Sequence, residues 1–192
     1  MTICVYGAAS SEIDEKYIRS IEDMAFELAK KGHNLVFGAG GQGLMGAAAR
    51  GFKKGGAKIT GVIPKFFKEA DVEAIFEECD ELVFTETMRE RKAEMEARAD
   101  AFVIAPGGIG TFEEFFEILT LKQLGRHNKK IAVYNICGYY DSMENLMENA
   151  IAQCFVKEKC KEIYKIVDNY DELVNYLNQQ DENINVSELK NG

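Results

Sequence analysis

"DAFVIAPGGIGTFEEFFEILTLKQLG" (residues 100–125) reads from left to right as strand, turn and helix. The apolar run 100–105 suits a strand covered on both faces. Pro106 and three glycines then break the regular pattern. Residues 112–125 place apolar side chains at helical spacing, which predicts an amphipathic helix. Outward from this segment the same alternation repeats. Strand-like runs fall at 2–7, 33–38, 57–64, 81–86, 129–135 and 162–168. Helical patterns fall at 15–32, 44–56, 87–99, 141–155 and 170–179, with Gly32 placed to close the first of them. Alternating apolar strands and helices predict an α/β fold: a single doubly wound, Rossmann-like domain with a mostly parallel sheet of about seven strands and helices on both faces. The domain is expected over residues 1–180, with a polar tail over 181–192 that frays.

The chain has 192 residues, enough for one domain with a sizeable core, and 46% of them are apolar. The net charge of −9, from 32 acidic and 23 basic residues, argues against broad nucleic-acid binding. No apolar run approaches the roughly 20 residues that span a bilayer, so no membrane segment is expected. The five cysteines form no C-x-x-C pair, and Cys4 and Cys137 lie in or beside apolar runs, where a thiol acts as a small hydrophobe. A reduced cytoplasmic interior is the simplest setting. His33 and His127 are far apart, and no metal site is expected.

Open α/β sheets bind ligands at the carboxyl ends of their strands. Three strand ends carry small residues: "YGAASS" (6–11), "FGAGGQGLMG" (37–46) and "APGGIG" (105–110). Any one could simply close a turn. Neither the G-x-G-x-x-G dinucleotide fingerprint nor a Walker-type loop is present, so a mononucleotide or sugar phosphate suits these turns better than NAD or ATP. Thr111 and Glu114 have capping-box spacing, with Thr111 as the helix N-cap. Alternatively, a phosphate docks on the Gly107–Thr111 amides and Glu114 faces another part of the ligand. In "TMRERKAEMEARAD" (87–100), Thr87 and Glu90 also have capping-box spacing. Met88, Arg91 and Met95 share a helical face there, so Arg91 either snorkels over apolar neighbours or turns inward toward an anion or Glu114. Lys92 beside it is expected to be more exposed.

At these residues the chain resembles the LONELY GUY (LOG) family of cytokinin riboside 5′-monophosphate phosphoribohydrolases, which are often mislabelled lysine decarboxylases. "PGGIGTFEE" (106–114) is similar to the family's P-G-G-x-G-T-x-x-E, "GAGGQGLMG" (38–46) to its G-G-G-x-x-G-L-M-G, and "MRERKAEM" (88–95) to its M-H-x-R-K. Ala39 and Arg89 depart from those patterns. The resemblance implies Arg91 and Glu114 as catalytic residues. It places Met88, Lys92, Gly107, Gly108, Gly110, Thr111, Gly40 and Gly43 at the substrate. It also implies a homodimer and no cofactor. The expected reaction is hydrolysis of the N-glycosidic bond of a purine nucleoside 5′-monophosphate, releasing free base and ribose 5-phosphate. The alternative is a non-catalytic nucleotide or molybdenum-cofactor carrier, which the same fold can also support.

Overall fold

The computed structural model describes residues 1–69, 74–179 and 186–189. Seven strands form one parallel sheet: β1 (Thr2–Tyr6), β2 (Asn34–Phe37), β3 (Ile59–Pro64), β4 (Glu81–Thr85), β5 (Ala101–Ile104), β6 (Lys130–Tyr134) and β7 (Lys165–Val167). Their order across the sheet is β4-β3-β2-β1-β5-β6-β7. The chain thus winds outward from β1 to one edge, then returns to build the other half from β5. The reversal falls between β1 and β5, which pair in register from Ile3↔Ala101 to Tyr6↔Ile104. The segments after them stay bonded through Ala105 N–H to Tyr6 O and Ala8 N–H to Pro106 O, and the carboxyl edge at this reversal is where such folds take ligands.

The helices are α1 (Glu15–Lys30), α2 (Gly43–Lys54), α3 (Lys65–Glu69), α4 (Met88–Arg98), α5 (Ile109–Gln123), α6 (Asp141–Ala152), α7 (Tyr170–Asn178) and α8 (Val186–Leu189). Alternation along β1 sets the two layers: Ile3 and Val5 join a core with α1, α2 and α7, whereas Cys4 and Tyr6 join one with α4, α5 and α6. The helix ends follow local chemistry. The Asp14 side chain caps α1 by accepting from Lys16 N–H at 3.0 Å. Gly32, at φ 83°, closes it with a Schellman pair, its own N–H donating to Ala29 O and that of His33 to Leu28 O. Helices α1 and α2 pack closely because Gly51 has no side chain. A Cβ there would lie 2.3 Å from Glu22 O.

Three expectations need correction. Helix α5 begins at Ile109, three residues before the expected start, because Gly108 is its N-cap. Thr111 is therefore inside the first turn and caps nothing. The tail 181–192 does not simply fray: Val186–Leu189 form α8, and buried Leu189 accepts from Gln123 Nε2 at 3.0 Å. Residues 181–185 and 190–192 lie outside the described residues. Cys4 is buried as expected, but Cys137 is exposed in a left-handed turn at φ 55° after β6.

No helix among the described residues is long and apolar enough to cross a membrane.

Candidate active site

The first turn of α5 stands at the carboxyl edge of β1 and β5. Phe112 is the first residue of α5 whose N–H has a backbone acceptor, Gly108 O at 3.0 Å. The amides of Gly108 to Thr111 precede it, as the unpartnered donors that every helix start leaves. They form a partial positive end suited to an anion. Glycine serves different ends along this turn. At Gly107 a Cβ would lie 2.1 Å from Thr111 Oγ1, so buried Thr111 packs against a bare backbone. At Gly108 and Gly110 a Cβ would meet nothing within 4 Å, and neither residue has positive φ. Neither packing nor backbone strain requires glycine at those two positions. What their missing side chains leave is open access to the amides.

Gly110→Ala is accordingly expected to hold or raise stability, since alanine favours a helix by roughly 0.5–1 kcal/mol over glycine. The same methyl should weaken binding of inorganic phosphate. Chemical denaturation and equilibrium binding read the two effects separately.

Much of the second glycine turn is tied to its neighbours. Leu44 and Met45 N–H both donate to Ala8 O, at 2.8 and 3.3 Å, and Gly41 N–H donates to Ala74 O. Gly43 has φ +56°, and a Cβ there would strike the backbone of Ala8–Ser10. Gly40 is buried in a bridge to Ile75. Gly40 and Gly43 thus pack against neighbouring backbone, and the first turn of α5 offers the longer run of amides without a backbone acceptor.

Arg91 and Glu114 approach this edge from different helices of one layer. Thr87 caps α4, accepting from Glu90 N–H at 3.1 Å, and the helix turns Arg91 inward. The Arg91 side chain is 5% exposed. Its Nε donates to Val62 O at 3.2 Å and its Nη2 to Gly38 O at 2.8 Å. The guanidinium lies 5.4 Å from the Phe67 ring and 3.9 Å from the sulfur of half-exposed Met88. Glycine at 38 leaves room for this seat: a Cβ would fall 1.7 Å from Arg91 Nη2, and the guanidinium would have to move. Backbone carbonyls, not Glu114, thus hold the arginine, and its charge is left to act through space.

Glu114 sits over β1, where its charge reaches Cys4 and Tyr6. Burial pushes its carboxyl up to about 7, although Arg91 and Lys92 pull it down and Glu113 and Glu117 add repulsion. A carboxyl that exchanges its proton near neutrality suits acid–base work.

Lys92 departs from the exposed position expected of it. It is buried and bonds Glu113 and Glu117, the latter at 2.6 Å, tying α4 to α5. Burial works against its charge, but the two carboxylates outweigh that and keep its pKa above the usual lysine value. On the other side of the turn, an apolar cleft of about 180 Å³ is lined by Ile13, Tyr17, Leu44, Pro106, Gly108 and Tyr139, among others. Sequence reasoning missed Tyr139, whose hydroxyl donates to Gly107 O at 2.6 Å. Its place just after β6, in a Gly-Tyr-Tyr run at the ligand-binding sheet edge, was the available signal. Among the described residues no three His, Cys, Asp or Glu side chains group so as to hold a metal ion.

A family model described as "Possible lysine decarboxylase" matches residues 45–177. The cytokinin riboside 5′-monophosphate phosphoribohydrolase LOG2 of Arabidopsis thaliana is 35% identical over 177 residues, covering 92% of this chain and 82% of its own. The chain belongs to the LOG family. A probable LOG phosphoribohydrolase of Oryza sativa subsp. japonica, LOGL3, gives the same 35% identity over 92% of this chain and 82% of its own. Among solved structures, the molybdenum cofactor carrier protein of Chlamydomonas reinhardtii aligns with a TM-score of 0.66 at 18% identity, over 91% of this chain and 93% of its own. A molybdenum cofactor binding protein from Rippkaea orientalis aligns at 0.61 and 14%, over 91% of both chains. At such identities the likeness is one of fold, and it confirms the Rossmann-like architecture of this LOG chain.

Proposed function

We propose that this chain hydrolyses the N-glycosidic bond of an adenosine 5′-monophosphate, plain or N6-substituted, to free base and ribose 5-phosphate. The observation that carries the reading is Glu114: a carboxyl poised near neutrality on a residue about one turn past the open amide cradle, about 7 Å of backbone rise along the helix. That spacing suits a ribose whose 5′-phosphate caps α5. The names of the curated LOG relatives support the same reaction.

In this mechanism the phosphate anchors on the Gly108–Thr111 amides. As the C1′–N bond lengthens, positive charge develops on the ribose, and the ionised Glu114 faces it. Water attacks C1′ as Glu114 takes its proton, the base leaves with the bonding pair, and the proton passes from Glu114 to the departed base, restoring the carboxylate. Arg91 favours the carboxylate form of Glu114 through its charge. The chain acts as a homodimer in this proposal. Ile109 at 88% exposure, with Phe112 and Phe116 also exposed on α5, offers apolar surface beside the site for a second copy.

Purified protein given AMP or N6-isopentenyl-AMP should yield base and ribose 5-phosphate in equal amounts, read by chromatography. Tight AMP binding with no base released from either nucleotide would sink the reading and favour a carrier instead.

A further inference from the structure

The open amides of α5 are half of an arrangement whose other half lies on the protein side of the same turn. Three consecutive carbonyls are each held by a donor. Ala105 O accepts from Tyr140 Oη at 2.7 Å, Pro106 O from Ala8 N–H at 3.1 Å and Gly107 O from Tyr139 Oη at 2.6 Å. No peptide bond among the described residues is cis. In a trans peptide the C=O and the next N–H point in opposite directions. Fixing the Gly107 carbonyl on Tyr139 therefore turns the Gly108 N–H away from the tyrosine. Pro106 lacks an N–H, so the held Ala105 carbonyl aims no donor, whereas the held Pro106 and Gly107 carbonyls set the directions of the Gly107 and Gly108 N–H.

The tyrosine pair is itself locked in place. Gly138 at φ 69° turns the chain after β6, and a Cβ there would strike the Asp141 carboxylate. Asn135, 6% exposed, accepts from Tyr140 N–H at 2.6 Å and donates to Asp141 and Asp168, each at 2.9 Å. The ring of Tyr139 stands edge-on to Tyr140 at 5.0 Å and to Tyr17 at 6.2 Å. A half-exposed tyrosine seated this firmly against a carbonyl of the turn is better placed to direct that turn than to sample solvent.

The geometry points to Tyr139 as a positioning residue: by donating to Gly107 O it aims and polarises the Gly108 N–H toward the phosphate of the substrate. The inference rests on the proposed phosphate cradle and deepens it. A carbonyl that accepts a strong hydrogen bond makes its own peptide N–H a better donor, so the hydroxyl acts on affinity as well as on direction.

Tyr139→Phe keeps the ring and removes the hydroxyl. It should weaken binding of ribose 5-phosphate and of inorganic phosphate alike, by about 10-fold, the scale of one charge-assisted hydrogen bond. Binding of adenosine, which has no phosphate, should be unchanged. With AMP as substrate KM should rise by a similar factor, with kcat changed less. Placing 4-aminophenylalanine at 139 restores a donor at the same point and should recover most of the affinity. Equal losses for adenosine would mean that Tyr139 touches the nucleoside, and would overturn the inference. So would unchanged phosphate binding accompanied only by a lower melting temperature. If wild-type protein releases base from AMP but the phenylalanine variant binds phosphate as well as wild type, the inference alone fails. If the wild type binds neither phosphate nor ribose 5-phosphate, the cradle itself is wrong and both readings fall.

Discussion

Glu114→Gln should lower base release from AMP by about 10²-fold or more, the scale of a positioned general base. The substitution keeps size and polarity but can neither take a proton nor face the ribose as a negative charge. AMP binding should persist, because the proposed phosphate contacts are to backbone amides. The wild-type pH profile should show the same group. With the carboxyl at about 7, kcat/KM should rise with pH and level off above that value, because the proposed mechanism uses the ionised form. The variant should lose this rise. A stability effect accompanies it. In the fold Glu114 holds its proton up to about 7, against an ordinary value of 4.5. Its contribution to stability is therefore intact below 4.5 and is lost as pH climbs through about 7. That shift corresponds to something on the order of 3 kcal/mol. Glutamine cannot ionise, so the variant should be the more stable protein at pH 8 and nearly level with wild type at pH 4. Denaturant unfolding at the two pH values measures the gap. An unchanged rate at pH 7.5 in Glu114→Gln would remove this residue from the chemistry.

Arg91→Met should damage the protein twice over. The guanidinium satisfies the Val62 and Gly38 carbonyls from a buried position. Methionine has comparable reach but no donor, and each buried acceptor left without a partner costs about 1–3 kcal/mol. The second effect is electrostatic. Arg91 is the largest influence holding the Glu114 pKa down. Without it the carboxyl rises above about 7 and is mostly protonated at neutral pH. Activity at pH 7 should fall about 10²-fold or more and recover in part toward pH 9, with the midpoint of the pH profile displaced upward. Arg91→Lys should not restore the wild-type protein, since one ammonium on a flexible stem cannot reproduce the fork that meets two carbonyls. A loss of activity in Arg91→Met with the midpoint of the profile unmoved would show that the arginine does not act through Glu114.

The readings that held and those that did not differ in range. The apolar runs at 2–7, 57–64 and 100–105 became β1, β3 and β5, because coverage on both faces leaves a mark on every residue of a strand. Gly32 closed α1, and Thr87 capped α4, through contacts within a few residues. The methionines flanking Arg91 at helical spacing pointed to an inward face, and Arg91 and Met95 are buried there. Lys92 was misread because the same pattern cannot show that α5 sets Glu113 and Glu117 opposite it. The capping box at Thr111 failed for a similar reason: its spacing was correct, but Gly108 could start the helix one turn earlier.

The order of apolar and small residues was enough, by itself, to determine the alternating fold and the strand end where the motif residues gather, since burial and turn chemistry are properties of short stretches. Only the tertiary structure decided which groups meet the amides of each glycine turn, what holds Arg91, and how far burial and neighbouring charges move the pKa of Glu114. Those depend on what stands opposite each group: Ala8 O against α2, two strand carbonyls around a guanidinium, and a carboxyl buried over β1 beside a charge from another helix. Such effects are sums over neighbours distant in the chain, and they exist only once the layers have closed.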